Sequence, residues 1–275
     1  MRHPMDLHIH SSYSDGSDSV NEILEAAVER SLEVISITDH DCIHPELFSI
    51  PLYKNVRVLP GIEISAIDFH TGKSVHILGY GFNEEAFHIQ KLCQPILKNR
   101  YETSLYQIKQ LQMAGYEISF EEVVEKAKHS TTIYKQHILD VMMDKKYLSE
   151  LYPPLYRQLF KNGGICDKAC SVPDISEAIK AIHKDGGISV LAHPASSHCF
   201  DEIERYISYG LDGIETYHSS HTAADIQRAH TIALKYKLME TGGSDYHGRY
   251  GVEPDIGSSE LPEKEKENLS WLIKE

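Results

Sequence analysis

Short apolar runs alternate along this chain with longer segments in which apolar residues recur every three or four positions. The short runs are typical of buried or half-buried β-strands. They cover residues 5–10, 34–38, 56–65, 75–80, 188–192, 214–217 and 238–241. Ser19 and Glu22 have the spacing of a helix capping box, and a helical pattern follows them. Strands that alternate with helices in this way predict an α/β fold with a parallel sheet or barrel.

The stretch from residue 86 to residue 172 interrupts this alternation. Its apolar residues have helical spacing, and two prolines at 153 and 154 and two glycines at 163 and 164 divide it. We therefore predict three parts. Residues 1–85 form the first part of a barrel, residues 86–172 form a helical insert, and residues 173–275 form the second part of the barrel.

The composition narrows the range of partners. The chain has 275 residues and a formal net charge of −14, which disfavours duplex nucleic acid and anionic membranes as partners but allows a small phosphorylated substrate bound through metal ions. No apolar run approaches the ~20 residues of a transmembrane helix. The five cysteines are scattered, so we expect reduced thiols in a cytoplasmic protein. The sequence leaves open the oligomeric state and whether translation starts at Met1 or Met5.

Histidines and carboxylates follow the predicted strands, and histidine is frequent, with 17 residues. Asp6, His8 and His10 lie two apart on one strand, so their side chains share a face. The carboxyl ends of parallel strands converge at one mouth of a barrel. The other residues of this kind are Asp15, Asp39, His40, Glu63, His76, His193, Asp245 and His247. Such donors on independent strands predict a metal centre rather than unrelated structural histidines.

Taken in order, these motifs resemble the polymerase and histidinol phosphatase (PHP) family. They are His8-x-His10, Asp15, Thr38-Asp39-His40, Gly61-x-Glu63, His76, Ala192-His193-Pro194 and Gly243-Ser244-Asp245-x-His247. The resemblance implies a distorted (β/α)7 barrel of the PHP type with three divalent metal ions at its mouth. One ion would be held by His8, His10, Glu63 and Asp245; a second by Glu63, His76 and His193; and a third by Asp15, His40 and His247. Asp6 and Asp39 would orient ligands through hydrogen bonds.

Such a centre predicts phosphoester hydrolysis by a metal-bound hydroxide, without a covalent enzyme intermediate. Mixed imidazole and carboxylate ligation suits Mn, Zn or Fe, and the sequence does not choose among them. The alternative function, if the chain is not an enzyme, is that of a metal-binding regulatory module. Degenerate proteins of that kind usually lose ligands, whereas all nine ligand positions are filled here.

The insert resembles that of the stand-alone phosphoesterases of the family, where it caps the site and supplies cations to the substrate phosphate. The family pattern Arg-x-His-Ile-Ala corresponds here to Lys135-Gln136-His137-Ile138-Leu139, so Lys135 and His137 are candidate substrate contacts. His218 follows a strand end and is a candidate contact or leaving-group acid. The expected substrate is a nucleotide, either a 5′-mononucleotide or a 3′,5′-bisphosphonucleoside. A 5′–3′ exonuclease on short RNA or DNA and a histidinol-phosphate phosphatase are the alternatives.

Overall fold

A barrel-shaped sheet forms the centre of the molecule. The computed structural model describes residues 4–251, 255–259, 261, 262 and 269, so the ends of the first and last predicted parts, including Met1, lie outside the described residues. Seven strands form one nearly closed path in the order β1-β2-β4-β5-β6-β7-β8, and the short β3 pairs with β4. The strands are β1 (Met5–Ile9), β2 (Val34–Ile37), β3 (Leu52–Tyr53), β4 (Val56–Asp68), β5 (Lys73–Tyr80), β6 (Ile188–Leu191), β7 (Gly213–His218) and β8 (Met239–Gly243). The predicted α/β barrel is confirmed.

Helices cover the outside of this barrel and form the insert. They are α1 (Val20–Glu29), α2 (Phe87–Met113), α3 (Phe120–Lys126), α4 (Lys135–Asp144), α5 (Pro154–Phe160), α6 (Ile175–Lys184), α7 (Ile203–Ser208) and α8 (Ala223–Tyr236). The predicted capping box opens α1, because the Glu22 N–H donates to the Ser19 hydroxyl and the Ser19 N–H donates to the Glu22 carboxylate. Within the described ranges, no helix has the length and apolar content needed to cross a bilayer.

The expectation of a parallel sheet is wrong at β5. This strand runs antiparallel to both of its neighbours, whereas the pairs β1–β2, β2–β4, β6–β7 and β7–β8 are parallel. The reason is the connection of residues 69–72, which is too short for the crossover that parallel neighbours need. The Asp68 carboxylate closes this turn by accepting hydrogen bonds from the His70 N–H and the Thr71 hydroxyl.

The two ends of the strand path meet at β1 and β8. The Asp245 N–H donates to the His8 carbonyl at 2.9 Å, and the His10 N–H donates to the Tyr246 carbonyl at 2.8 Å. The backbones approach so closely that a Cβ atom at Gly243 would lie 2.3 Å from the Cβ atom of His8. Glycine at position 243 therefore allows the segment with Asp245 and His247 to lie beside the segment with His8 and His10.

The helices α2 to α5 surround a hydrophobic core of their own. Its fully buried residues include Leu111, Val123, Ile138, Leu139 and Met142. Another cluster joins the first half of α2, with Ile89, Cys93 and Ile96, and the helices α6, α7 and α8 to β4, β5, β6 and β7. We keep the division into residues 1–85, 86–172 and 173–275 as a proposal.

Candidate metal centre

The residues predicted as metal ligands come from six strands or the loops that follow them. His8 lies on β1 and His10 directly after it; Asp15 lies in the next loop; His40 follows β2; Glu63 and His76 lie within β4 and β5; His193 follows β6; Asp245 and His247 follow β8. His8, His10 and Glu63 are at most 1% exposed. Glu63 and His76 lie inside the predicted strands 56–65 and 75–80, which pair as the long β4–β5 hairpin.

Donor atoms of these side chains form overlapping groups in which all atoms lie within 4.8 Å of one another. One group is His8, His10, Glu63 and Asp245; another is His10, Asp15, His40 and His247; a third is His40, Glu63 and His76. His193 joins the third group through its Nε2 atom, which lies 3.0 Å from Glu63 Oε1. The fold thus brings all nine residues together.

Glu63 lies at the middle, and its two carboxylate oxygens face different histidines. Oε2 lies 3.3 Å from His8 Nε2, 3.2 Å from His10 Nε2 and 3.1 Å from His40 Nδ1. Oε1 lies 2.8 Å from His76 Nδ1 and 3.0 Å from His193 Nε2. A carboxylate with separate donor sets on its two oxygens has the arrangement of a bridge between two ions.

The residues present fit divalent metal ions. His8 Nε2, both ring nitrogens of His10 and His40 Nδ1 are buried and have no hydrogen-bond partner among the residues that the structure describes, although carboxylate oxygens lie near them. Two ligand atoms that each lie about 2.1 Å from one ion at a tetrahedral angle are about 3.4 Å apart, which is close to the spacing between these nitrogens and oxygens. Orphaned imidazole nitrogens that converge on carboxylates are therefore better explained as metal ligands than as core residues.

Electrostatics also favour positive charge at this centre. Burial lowers the pKa of His8, but the carboxylates of Glu215, Glu63 and Asp245 outweigh burial and raise that pKa well above its usual value. Burial raises the pKa of Glu63, but His40, His76 and His8 outweigh it and hold the pKa well below its usual value. Bound cations would supply this positive charge and displace protons from the imidazoles.

Two of the predicted ligands have left-handed backbone conformations. The φ angle is 27° at His193 and 56° at Asp245, and residues other than glycine rarely have positive φ angles. Such conformations cost on the order of 1–3 kcal/mol and persist where the surrounding structure enforces them. With these backbone conformations, His193 Nε2 lies 3.0 Å from Glu63 Oε1 and Asp245 Oδ1 lies 3.4 Å from His8 Nε2.

Glu215 is a member of this centre that the sequence analysis missed. It lies on β7, is fully buried, and its Oε1 atom lies 3.0 Å from His8 Nδ1. Its Oε2 atom accepts a hydrogen bond from the His193 N–H at 2.8 Å. Carboxylates that bind the second ring nitrogen of a metal-binding histidine fix the orientation and tautomer of the ring. The signal in the sequence was one acid inside the apolar strand at residues 214–217.

Asp6 and Asp39 organise the loops around the centre through hydrogen bonds from backbone N–H groups and serine hydroxyls. Asp6 accepts hydrogen bonds from the backbone and hydroxyl of Ser244 and from the Gly257 N–H. Asp39 accepts hydrogen bonds from the backbone and hydroxyl of Ser11 and from the Ser14 hydroxyl. Asp6 therefore holds the segment before Asp245, and Asp39 holds the loop before Asp15.

The predicted substrate contacts have different surroundings. Lys135 is half-buried with its Nζ atom 5.2 Å from the centre of the Tyr156 ring, and it makes no ion pair with any residue that the structure describes. His137 is buried, and its Nδ1 atom accepts a hydrogen bond from the Tyr134 N–H at the start of α4. His218 is buried beside Asp245, with 3.6 Å between its Nε2 atom and Asp245 Oδ2. His137 thus caps α4 through its Nδ1 atom, and contact with a substrate stays a prediction for Lys135, His137 and His218.

A barrel with clustered imidazole and carboxylate donors at its mouth defines the class of metal-dependent hydrolases. The PHP domain family matches residues 6–184, which is more than half of the chain. The chain belongs to the PHP family and is a metal-dependent phosphoesterase.

Individual relatives share nearly the whole chain. A phosphoribosyl 1,2-cyclic phosphate 1,2-diphosphodiesterase of Eggerthella lenta is 42% identical over 254 residues, which cover 92% of this chain and 97% of the relative. A 3′,5′-nucleoside bisphosphate phosphatase of Chromobacterium violaceum is 27% identical, with 93% and 91% covered. A crystal structure from Bifidobacterium adolescentis, assigned to the metal-dependent phosphoesterases, superposes with a TM-score of 0.87 at 23% identity, with 98% and 96% covered. This last likeness shows the fold alone.

Proposed function

We propose that this chain hydrolyses a small phosphorylated ribose compound at the centre around Glu63. Phosphoribosyl 1,2-cyclic phosphate is the first candidate substrate, because the relative named for it is 42% identical over nearly the whole chain. A 3′,5′-bisphosphonucleoside or a 5′-mononucleotide is the second, supported by the bisphosphate phosphatase at 27% identity. The observation that carries the proposal is the division of imidazole donors between the two oxygens of Glu63.

The donor sets favour three divalent ions, assigned as the family resemblance implies. His10 has both ring nitrogens near carboxylates, but a neutral imidazole offers only one lone pair for a ligand. Its Nε2 atom lies 3.2 Å from both Glu63 and Asp245, whereas its Nδ1 atom lies 3.5 Å from Asp15. We therefore assign His10 to the ion of His8, Glu63 and Asp245, which leaves Asp15, His40 and His247 for another. Mn, Zn and Fe all suit these donors.

When bound, such ions would lower the pKa of the water that they bind, so that hydroxide is available at neutral pH. They would also offset the negative charge of phosphoryl oxygens. The chain itself supplies His218 as a hydrogen-bond donor. The Ser220 N–H donates to His218 Nδ1 at 3.1 Å, so Nδ1 is unprotonated and the ring proton of the neutral form lies on Nε2. That Nε2 atom is buried and has no hydrogen-bond partner within the described residues. We assign it to a phosphoryl or leaving-group oxygen of the substrate.

The charge of the chain favours a small substrate over a polymer. Within the insert, Arg100, Lys126, Lys128 and Lys145 are each paired with a carboxylate and are less available to a nucleic-acid backbone. The net charge of −14 repels such a backbone. Lys135 is the cation near the centre that has no carboxylate partner among the described residues, and a half-buried ammonium group of this kind favours an anionic ligand.

A cytoplasmic location belongs to the same proposal and agrees with five unpaired cysteines.

Product analysis tests the proposed substrate. The Mn²⁺-loaded protein is incubated separately with phosphoribosyl 1,2-cyclic phosphate, a 3′,5′-bisphosphonucleoside, a 5′-mononucleotide, histidinol phosphate and a short RNA, and products are identified by ³¹P NMR and mass spectrometry. We expect the cyclic phosphate to be opened fastest, and Glu63→Gln to abolish hydrolysis of every compound. Faster hydrolysis of the bisphosphonucleoside or the mononucleotide would favour the second candidate substrate. Faster hydrolysis of histidinol phosphate would indicate a histidinol-phosphate phosphatase. Stepwise release of nucleotides from the RNA would indicate an exonuclease. Tight metal binding without hydrolysis would indicate a regulatory module.

A further inference from the structure

The helix α4 of the insert contacts three loops of the barrel, and each loop carries one of the residues Asp15, His40 and His247. These are the residues assigned above to one ion. The contacts are made by side chains at positions 134, 136 and 140, at the start and the middle of the helix. Each contact was unexpected from the sequence, because it joins residues about 90 to 120 positions apart.

Gln136 contacts the carboxylate of Asp15 directly. Its side-chain Nε2 atom donates to Asp15 Oδ2 at 2.8 Å. The other oxygen, Oδ1, lies 3.5 Å from His247 Nε2 and 3.5 Å from His10 Nδ1. The amide thus occupies one oxygen of the carboxylate and directs the other toward the imidazole rings.

Tyr134 holds the loop of His40. Its hydroxyl donates to the His40 carbonyl oxygen at 2.7 Å, and the side chain is 2% exposed. Arg100 of α2 covers the ring of Tyr134, with 5.1 Å between the guanidinium carbon and the ring centre. The same guanidinium group binds Asp41, the residue after His40, at 2.7 Å and 2.9 Å.

Asp140 holds the turn that follows His247. Its carboxylate accepts hydrogen bonds from the Arg249 guanidinium group at 2.8 Å and from the Tyr250 hydroxyl at 2.8 Å. The turn is a short 3₁₀-helix, Gly248–Tyr250, which begins directly after His247. A displacement of α4 would therefore move this turn together with the loops of Asp15 and His40.

The remaining donors are held by the barrel itself. Glu215 of β7 orients His8 through its ring and His193 through its backbone. The Glu63 backbone accepts from the Asp41 N–H and donates to the Asp39 carbonyl, both in the loop after β2. The Asp245 N–H donates to β1 at the His8 carbonyl. These hydrogen bonds join strands and adjacent loops without the insert.

We propose that the insert helix α4 assembles one of the three ion sites, the one formed by Asp15, His40 and His247, and that Gln136 and Tyr134 are its positioning residues. This inference rests on the proposed function, because it requires that the centre binds metal ions. Its consequence is a difference among the ions. The two ions around Glu63 bind to a site that the barrel builds alone, whereas the third needs the contacts of α4 in addition to those of the barrel loops for its full affinity.

Metal stoichiometry measures this difference without reference to activity. Wild-type protein and the variants Gln136→Leu and Tyr134→Phe are dialysed against graded Mn²⁺ concentrations, and bound Mn²⁺ per chain is measured by elemental analysis. The matched controls are Gln112→Leu and Tyr147→Phe. Gln112 donates to the Ile118 carbonyl at 2.8 Å, and the Tyr147 hydroxyl accepts from the Glu117 N–H at 3.1 Å, both within the insert.

We expect wild-type protein and both controls to bind three Mn²⁺ per chain. In Gln136→Leu and in Tyr134→Phe, one Mn²⁺ should bind at least about tenfold more weakly, equivalent to about 1.4 kcal/mol, while the other two bind as in wild type. Unchanged binding of all three ions in both variants would overturn the inference and leave the proposed function intact. An equal loss of all ions would also overturn it. A wild-type chain that binds no metal would instead refute the proposed function.

Discussion

Glu215 is a buried residue that orients a candidate metal ligand without being assigned as a ligand itself. It binds His8 Nδ1 and thereby leaves Nε2 to face Glu63 and Asp245. We predict that Glu215→Gln weakens Mn²⁺ binding or lowers kcat by about 10- to 100-fold, which is typical when such a partner of a ligand is removed. Elemental analysis and kcat with saturating Mn²⁺ measure the two effects.

The matched control for this variant is Glu240→Gln. Glu240 is also buried and binds a histidine, with 2.8 Å between Glu240 Oε1 and His230 Nδ1, but His230 lies on α8 outside the barrel. We expect Glu240→Gln to cost stability and to leave metal content and kcat unchanged. If both variants lost metal to the same degree, general destabilisation rather than orientation of His8 would be the cause.

Lys135 carries a prediction about substrate binding. Burial and the nearby Arg100 lower the pKa of its ammonium group more than the carboxylate of Asp15 raises it, and no described carboxylate forms an ion pair with it. If its partner is a substrate phosphate, Lys135→Ala should raise KM by about tenfold or more, because a hydrogen bond to a charged group contributes roughly 1.5–3 kcal/mol. Lys168→Ala is the control, since Lys168 also lies over a tyrosine ring, at 5.0 Å from the centre of Tyr106. Equal KM values for the two variants would exclude the phosphate contact.

At the scale of single residues, the sequence indicated the nine candidate ligands because imidazole and carboxylate groups follow separate apolar strands. It could not indicate which contacts Glu215 and Gln136 make, although an acid inside the apolar strand at residues 214–217 marked Glu215 as unusual. The role of Glu215 depends on which strand lies beside β1 in three dimensions, and that of Gln136 depends on how a helix of the insert docks on the barrel. Hydrophobic periodicity carries neither kind of information.

At the scale of elements, the long helix α2 illustrates a helix end that is capped from another part of the chain. The residue before it, Ala86, provides no side-chain cap. The carboxylate of Asp185, at the end of α6, instead accepts hydrogen bonds from the His88 N–H at 3.1 Å and the Ile89 N–H at 2.8 Å. Asp185 thus fixes the position at which the insert leaves the barrel.

This cap predicts a pH-dependent contribution to stability. Burial raises the pKa of Asp185, but hydrogen bonds from Ile89 and His88 outweigh it and lower that pKa below its usual value. The stabilisation is therefore fully present above the unfolded-state pKa of about 3.9 and is lost as pH falls through the lower folded-state pKa. Asp185→Asn should lower the free energy of unfolding by about 1–3 kcal/mol at pH 7. The difference from wild type should shrink below about pH 4.

Urea unfolding at a series of pH values, with a chelator present throughout, measures this difference. The control is Asp201→Asn, an exposed carboxylate that pairs with Arg228 at the surface. We expect its effect to be much smaller at every pH. A difference between wild type and Asp185→Asn that stayed constant from pH 7 to pH 3 would contradict the capping role.

The order of strands and helices was largely predictable, but the direction of β5 was not. Each predicted strand is present, with bounds that differ by a few residues. The alternation of strands and helices suggested parallel pairing throughout. The short connection at residues 69–72 was the local signal for a hairpin, and it outweighs the general pattern because a crossover needs a dozen or more residues. Because β5 runs antiparallel to β4, His76 lies beside Glu63, with 2.8 Å between His76 Nδ1 and Glu63 Oε1.

At the scale of the whole molecule, the metal centre joins parts of the chain that the sequence separates. Its candidate ligands extend from His8 to His247 and include residues on both sides of the insert. The barrel closes where the segments of His8 and Asp245 share a backbone hydrogen bond of 2.9 Å. Bound ions would therefore bridge the first part of the barrel, the second part and, through Gln136, the insert.

This arrangement predicts that metal removal destabilises the whole chain and not only the site. Each ion present at 100 times its Kd would add about 2.7 kcal/mol, provided that it does not bind the unfolded chain. For a chain of this size, that energy corresponds to roughly 5–10 °C in Tm per ion. We expect excess chelator to lower the Tm of the Mn²⁺-loaded wild type by at least this amount, and added Mn²⁺ to restore it. Glu63→Gln removes the central carboxylate, so the chelator should change its Tm much less. If wild type unfolded at one temperature with and without Mn²⁺, the ions would not join the two parts of the barrel.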